Sequence, residues 1–384
     1  MLQPKTMGPL NGIRVIEVAG IGPGPFCGMM LADMGADVVR IDRPGDDPAM
    51  AGMHRVLLRN RRRLAVDLKN PDGVSTVLRM VGAADVLFEG FRPGVAERLG
   101  VGPDACHAKN PRLVYGRMTG WGQTGPLAQT AGHDINYIAL SGALHAIGRK
   151  GDRPVPPLNL VGDFGGGGMM LAFGIVCALL ETRKSGMGQV VDASMVEGSA
   201  ALMSMFFGAR ASGLHGPTRG ANLLDTGAPF YDVYETKDAQ YLAVGPLEPQ
   251  FFAVLQSKLG LDASFGGQFD VASWPTQKET LARVFLTRTR DEWEALFAGT
   301  DACVSPVLSM DEAPSHPHNA SRRSFVDVGG APQPAPTPRF SRTSSPAPEA
   351  MKPNGTDTRA VLLDFGFAEQ DIDALLANRA VSLT

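Results

Sequence analysis

The side chains best placed to move a proton are a histidine and an aspartate, each beside a glycine-containing turn. Gly132-His133-Asp134-Ile135-Asn136-Tyr137 puts His133 at the expected start of a helix, and Leu160-Val161-Gly162-Asp163-Phe164 runs into four glycines and an apolar helix. An imidazole and a carboxylate can serve as general acid and general base near neutral pH. Both positions also have plainer uses, Asp163 as a helix cap and His133 as a core hydrogen-bond donor, and the residues alone leave the choice open. Other chemistries find less support. There is no Gly-x-Ser-x-Gly elbow for a serine nucleophile. Cys27, Cys106, Cys177 and Cys303 form no CxxC pair, so neither a disulfide framework nor a zinc ribbon is expected. His316-Pro317-His318 lacks a clear third ligand and reads as a surface loop, so no metal site is expected. His54, His107, His145 and His215 stand in no motif.

A second group of residues suits a phosphate-bearing ligand. Gly20-Ile21-Gly22-Pro23-Gly24-Pro25 follows a strand-like run, and Asp42 lies where a dinucleotide fold places its ribose-binding carboxylate. Pro25 replaces the third glycine of that fingerprint, which argues against NAD or FAD and leaves a tight strand-to-helix turn or another phosphate ligand. Arg40, Arg43, Arg59, Arg61, Arg62, Arg63, Lys69, Arg92 and Arg98 recur near expected strand ends. Arginine forks bind phosphates, although a solvated surface is the ordinary use of any one of them.

The elements that must hold these groups alternate. Strands are expected at Ile13–Val18, Val38–Ile41, Leu64–Val66, Val86–Phe88 and Leu113–Tyr115, with helices at Phe26–Met34, Gly73–Val81 and Ala96–Leu99. That order predicts an α/β fold with a mostly parallel, Rossmann-like sheet and a ligand crevice at its strand ends. Thr119–Pro126 and Gly148–Gly168 read as structured loops, Met169–Thr182 as a buried helix, Gln189–Val191 as a strand and Met195–Ala211 as a helix. Phe230-Tyr231 and Tyr241–Val244 read as paired strands of a smaller α+β domain with helices at Phe251–Leu259 and Thr276–Phe285. The expected division is a large domain over 1–200, a linker helix and connection over 201–225, a small domain over 226–325, and a connector and returning tail over 326–384.

The 384 residues include 36 Lys+Arg against 39 Asp+Glu, and hydrophobic residues make up 44%, a balance that disfavours nucleic acid as a partner and describes an ordinary globular chain. The longest apolar run, Met169–Leu180, is shorter than the roughly 20 residues that span a bilayer. No stable membrane insertion is expected. The first twelve residues carry neither a secretory nor a transit pattern, so a cytoplasmic location is expected.

Several longer motifs occur in one order: AGIGPGP, ADVVRIDRP, RNRR with DLK, EGFRPG, MTGWGQTGP, GHDINY, PPLNLVGDFGGG, GQVVDASM and GPLEPQF. Together they resemble the alpha-methylacyl-CoA racemases of the family III CoA-transferase superfamily, over about Asn11 to Phe340. The resemblance implies interconversion of (2R)- and (2S)-2-methylacyl-CoA thioesters through an enolate, with His133 and Asp163 on opposite faces of the α-carbon. It implies that Glu248 orients His133, that the backbone N–H near Asp134 holds the thioester oxygen, and that no separate cofactor is needed, coenzyme A being part of the substrate. Ile21, Arg43, Val66, Leu68, Lys69 and Arg98 are implied around the coenzyme, with Met118, Met195, Met203 and Met205 flanking the acyl chain or simply packing. An interlocked homodimer with Glu248 contributed across the interface is also implied. In the transferase branch, the alternative reading, the residue matching Asp163 is an acyl-accepting nucleophile.

Overall fold

The structure is a computed structural model and describes residues 7–45 and 51–384; the first six residues of the N-terminal segment read for a leader lie outside it. The chain forms two units: one comprises the chain up to Ser141, Leu158–Leu202 and Arg322–Thr384, the other Gly142–Pro157 and Met203–Ser321.

In the first unit the short apolar runs become β1 (Arg14–Val18), β2 (Asp37–Asp42), β3 (Arg61–Val66), β4 (Val86–Glu89), β5 (Val114–Thr119) and β6 (Val190–Ser194). All six are parallel, in the spatial order β3-β2-β1-β4-β5-β6. Alternate residues of a strand point to opposite faces, and in β1 to β5 both faces are largely buried, which is why apolar residues dominate the middle of these runs. Val15, Val38, Val86, Phe88 and Val114 pack with Cys27, Leu31, Leu171 and Ile175 from the helices Pro23–Asp33 and Met170–Ser185. Ile16, Val39, Leu64, Leu87 and Tyr115 pack on the other face with Val77, Met80 and Val81 from the helix Pro71–Val81. The strand order reverses at β1, so the crevice of a doubly wound sheet opens at the carboxyl ends of the central strands.

The basic cluster is not a phosphate cradle as a whole. Glu17, Arg40 and Arg63 lie side by side on β1, β2 and β3 in register. Glu17 accepts from Arg40 Nη1 and, at 3.1 Å, from Arg61 Nε. Asp42 accepts from Arg40 Nε at 2.9 Å and Arg63 Nε at 2.8 Å. Arg59 forks onto Asp33 at 3.0 and 2.5 Å. Arg40, Arg59, Arg61 and Arg63 are all at most 3% exposed, so their charges are spent on carboxylates inside the protein. Asp42 is likewise paired with two arginines, although it reaches the wall of the strand-end cleft. A parallel sheet tolerates such charges only when each is paired, and the pairing fixes strand register.

Gly148–Gly168 was expected to be a loop throughout, but Leu160–Met169 is a π-helical stretch continuous with Met170–Ser185. Its glycines serve close packing. A Cβ at Gly166 would come within 2.6 Å of Ser199 N, and one at Gly168 within 2.5 Å of Pro23 O. The continuous helix, 26 residues, is long and apolar enough to cross a membrane by length and composition. It is not buried all round as expected: Ile175 is in the core, whereas Leu160, Met169, Phe173 and Leu180 are exposed. The expected Met195–Ala211 helix is divided at Met203 into Met195–Leu202 and Ser204–Ala211.

In the second unit β7 (Asp232–Glu235), β8 (Tyr241–Val244) and β9 (Val304–Pro306) form an antiparallel sheet. The first of these starts two residues later than expected, because Phe230 is fully buried against Phe252 and Trp274 as a core anchor. Helices Pro249–Leu259, Trp274–Phe285 and Arg290–Phe297 supply Leu255, Leu281 and Trp293 to the same core.

The Pro-rich connector carries a small hairpin, β10 (Phe325–Asp327) with β11 (Pro332–Pro334). Beyond it the helices Thr358–Asp364 and Glu369–Ala377 bring Val361, Leu362 and Ile372 onto the first unit's core. β12 (Val381–Ser382) then pairs antiparallel with β3 and covers that sheet edge.

Candidate functional site

Asp163 sits in the first turn of the π-helical stretch, partly buried. Its backbone N–H donates to Asp134 Oδ1 at 2.7 Å, and its Oδ2 accepts from Asn159 Nδ2 at 3.1 Å. Phe164 stacks on Phe26 with ring centroids 4.8 Å apart, tying this turn to the first helix. Burial raises the proton affinity of the Asp163 carboxyl above the ordinary aspartate value. The Asn159 hydrogen bond opposes that, Asp134 reinforces it, and positive charge on His133 or His54 would oppose it.

His133 precedes the helix Asp134–Leu140 in extended conformation, with its side chain exposed. The loop before it is held in place by Tyr137, whose hydroxyl donates to the carbonyl of Gly132 and whose ring meets Trp121 edge-on at 4.8 Å. Asn136 Oδ1 accepts the His133 N–H at 3.0 Å. The GHDINY motif therefore contains its own scaffold. Asp134 has a side-chain duty the sequence did not disclose: buried, it accepts N–H groups of Gly162 and Asp163 and braces the turn that carries Asp163. Burial raises its carboxyl pKa, and those two backbone donors oppose the rise.

Gly22 has φ +64° and caps the Pro23–Asp33 helix, with Pro23 at the first helical position. A Cβ at Gly22 would lie 2.9 Å from Asp163 Oδ2. Gly22→Ala is therefore expected to push the carboxylate aside as well as strain the backbone, lowering turnover about tenfold or more, as misplacement of a reacting group does. Turnover within twofold of the parent would show that Asp163 tolerates displacement.

The preceding residues of the same turn line a cleft of about 360 Å³ at the strand ends. Ile21, Arg43, Val66, Leu68 and Lys69 meet there, beside Phe91 and Leu99. Ile21 is 60% exposed, an apolar side chain presented to the opening. Arg98 is exposed on the helix Val95–Arg98 and does not line this cleft, although its neighbour Leu99 does. Glu248 is exposed at the start of the helix Pro249–Leu259 in the second unit. Met118 and Met195 are core residues of the first unit rather than an acyl surface. Met205 is exposed, and Met203 lines a separate depression in the second unit with Phe206 and Phe207. His316 pairs with Glu294 at 2.9 Å.

His54 and Asn159 join this site without any sequence signal that singled them out. His54 is buried on the short helix Ala51–His54, and its Nε2 accepts the Gly22 N–H at 3.4 Å. A fold bringing residues 32 positions apart together leaves no local trace.

A crevice at the reversal of a doubly wound sheet, one turn away from a carboxyl of raised proton affinity, is the arrangement of an α/β protein that holds a ligand at its strand ends. The chain belongs to CoA-transferase family III, whose profile matches residues 10–358. It is 48% identical to alpha-methylacyl-CoA racemase of Mus musculus over 375 residues, 97% of each chain. Against the Homo sapiens protein of that name it is 44% identical over 379 residues, again 97% of each. A crystal structure of a CAIB/BAIF family protein from Brucella suis shares the fold, with TM-score 0.82 at 23% identity, covering 93% of this chain and 99% of that one.

Proposed function

We propose that the protein interconverts (2R)- and (2S)-2-methylacyl-CoA thioesters by 1,1-proton transfer through an enolate. The observation that carries this reading is the short path along one turn, where Ile21 lines the cleft and Gly22, next to it, leaves just the space that keeps its backbone clear of the Asp163 carboxylate. A coenzyme in the cleft would deliver its thioester toward the carboxyl. The names of the relatives at 48% and 44% identity support the same reaction class.

A thioester acidifies its α C–H, so a carboxylate or imidazole can remove that proton while the electron pair moves onto the carbonyl oxygen. The enolate oxygen is held by the backbone N–H near Asp134, at the start of the Asp134–Leu140 helix. The group on the other face then returns a proton to the α-carbon and the C=O re-forms. Asp163 and His133 exchange roles when the other enantiomer binds. A carboxyl whose proton affinity is raised serves both as acid and as base better than an ordinary aspartate does. Neither a metal nor a second substrate enters this cycle.

Ile21, Val66 and Leu68 supply apolar walls for the adenosine end, and Arg43 and Lys69 on the cleft supply charge for phosphates, joined by Arg98 from outside its lining. Lys69→Ala is expected to raise KM for the thioester about two- to fivefold with kcat unchanged, since an exposed charge contributes about 1 kcal/mol or less. The effect should shrink with added salt. An unchanged KM at low ionic strength would remove Lys69 from the phosphate site.

The working form we propose is an interlocked homodimer in which Glu248 of a second copy orients His133. The exposed Leu160, Phe173, Leu180 and Leu202 of the first unit support burial against another chain. Light scattering after gel filtration tests this, with twice the chain mass expected and a monomer at micromolar concentration contradicting it. The transferase alternative makes a different covalent prediction. Denaturing mass spectrometry of protein incubated with a 2-methylacyl-CoA should show unmodified Asp163 during full turnover, whereas an acyl or CoA adduct there, with turnover only when an acceptor acid is added, would favour transfer.

A further inference from the structure

Resting on the role of Asp163 proposed above, we propose that His54 is a positioning residue that fixes the Gly22 turn beneath the Asp163 carboxylate and thereby sets its proton affinity. A backbone N–H can only donate, so the 3.4 Å bond from Gly22 N to His54 Nε2 makes that ring nitrogen an acceptor. The ring proton then resides on Nδ1. Protonating Nε2 as well breaks the bond to Gly22 and creates a cation whose charge favours the ionised Asp163 carboxylate.

Gly22 is the point where this matters. It has the left-handed φ of +64°, it caps the first helix, and the space where its Cβ would stand is 2.9 Å from Asp163 Oδ2. The residue before it is Ile21, exposed in the cleft wall. One peptide thus joins the ligand cleft to the acid–base carboxyl, and His54 holds it from behind at 7% exposure. The other groups facing the carboxyl are Asn159 from its own turn and Asp134 and His133 from the start of the next helix. Asn159 bonds the carboxyl directly and Asp134 the Asp163 backbone N–H, His133 acts by charge, and His54 acts through the Gly22 peptide and by charge.

The test compares the parent with His54→Leu, which fills space without an acceptor, and His54→Gln, whose amide oxygen can take the Gly22 N–H. The Asp163 titration is read in free protein from the aspartate 13Cγ shift, assigned with Asp163→Asn, so it does not depend on turnover. His54→Leu should raise the Asp163 midpoint by about half a pH unit or more, a threefold change in proton affinity. It should lower kcat about tenfold with KM for the thioester within twofold, as a displaced reacting group does. His54→Gln should bring the Asp163 midpoint to within about 0.2 pH unit of the parent and kcat to within about threefold. Should His54→Leu fail to fold, His54→Ala carries the same comparison. An Asp163 midpoint unchanged in the acceptor-free variant, with only thermal stability lowered, overturns the assignment. Absence of α-proton exchange by the parent would instead overturn the proposed reaction, and the 13C titration would still decide the role of His54.

Discussion

Asp163→Asn is expected to lower epimerisation by about 10²- to 10⁴-fold while leaving thioester affinity within a few fold, because it removes a proton-transfer group and little bulk. The loss should be one-sided in isotope exchange. The enantiomer whose α-proton faces His133 should still exchange that proton with solvent, and the other should not. Following each enantiomer separately in D2O by mass spectrometry distinguishes this from general damage, in which both exchanges fall together. The same variant makes a stability prediction with a defined sign. Burial raises the carboxyl pKa of Asp163 in the folded protein, so its ionised form is disfavoured there relative to the unfolded chain. The carboxyl's favourable contribution is complete below the unfolded aspartate value and is lost as pH rises through the higher folded one. Asp163→Asn should therefore be more stable than the parent at pH 8, with the difference shrinking toward pH 4. A variant less stable than the parent throughout would contradict the burial argument.

Glu17→Gln carries the largest expected effect on stability. Glu17 is fully buried and bridges Arg40 on β2 and Arg61 on β3, while Arg40 continues through Asp42 to Arg63. Neutralising Glu17 leaves two buried guanidinium groups short of a counter-charge, which costs about 3–5 kcal/mol. Because these pairs cross β1, β2 and β3 just before the turn that forms the cleft, CoA-thioester affinity should fall with stability. Chemical denaturation of the variant checks the first expectation and a binding titration the second. A midpoint shift equivalent to less than 1 kcal/mol would show that the network is solvated or readily rearranged.

The parallel sheet was legible in the chain because both its faces are buried: Val15, Ile16, Val38, Val39, Leu87 and Phe88 give runs that no other element needs. The family resemblance brought Ile21, Arg43, Val66, Leu68, Lys69 and Arg98 into one list, and the structure places the first five on one cleft and leaves Arg98 outside its lining. What composition could not show was how charge is used. Arg40, Arg61 and Arg63 look like the cleft-lining Arg43 in a one-dimensional reading, and only strand register reveals that Glu17 and Asp42 already neutralise them. The glycines at 165–168 misled in the opposite direction, because glycine marks close helix packing as readily as a loop. His54 was invisible for a third reason: its importance comes from a tertiary contact to a backbone N–H, which no side-chain pattern records.

Inversion at the α-carbon without an acceptor acid separates racemisation from CoA transfer. The most direct test is to incubate the purified protein in D2O with one enantiomer of a 2-methylacyl-CoA, following deuterium incorporation by mass spectrometry and configuration by chiral analysis. Enzyme-dependent appearance of the opposite epimer carrying one α-deuteron is expected. Retention of both the α-proton and the original configuration, with thioester binding demonstrated in the same sample, would contradict it.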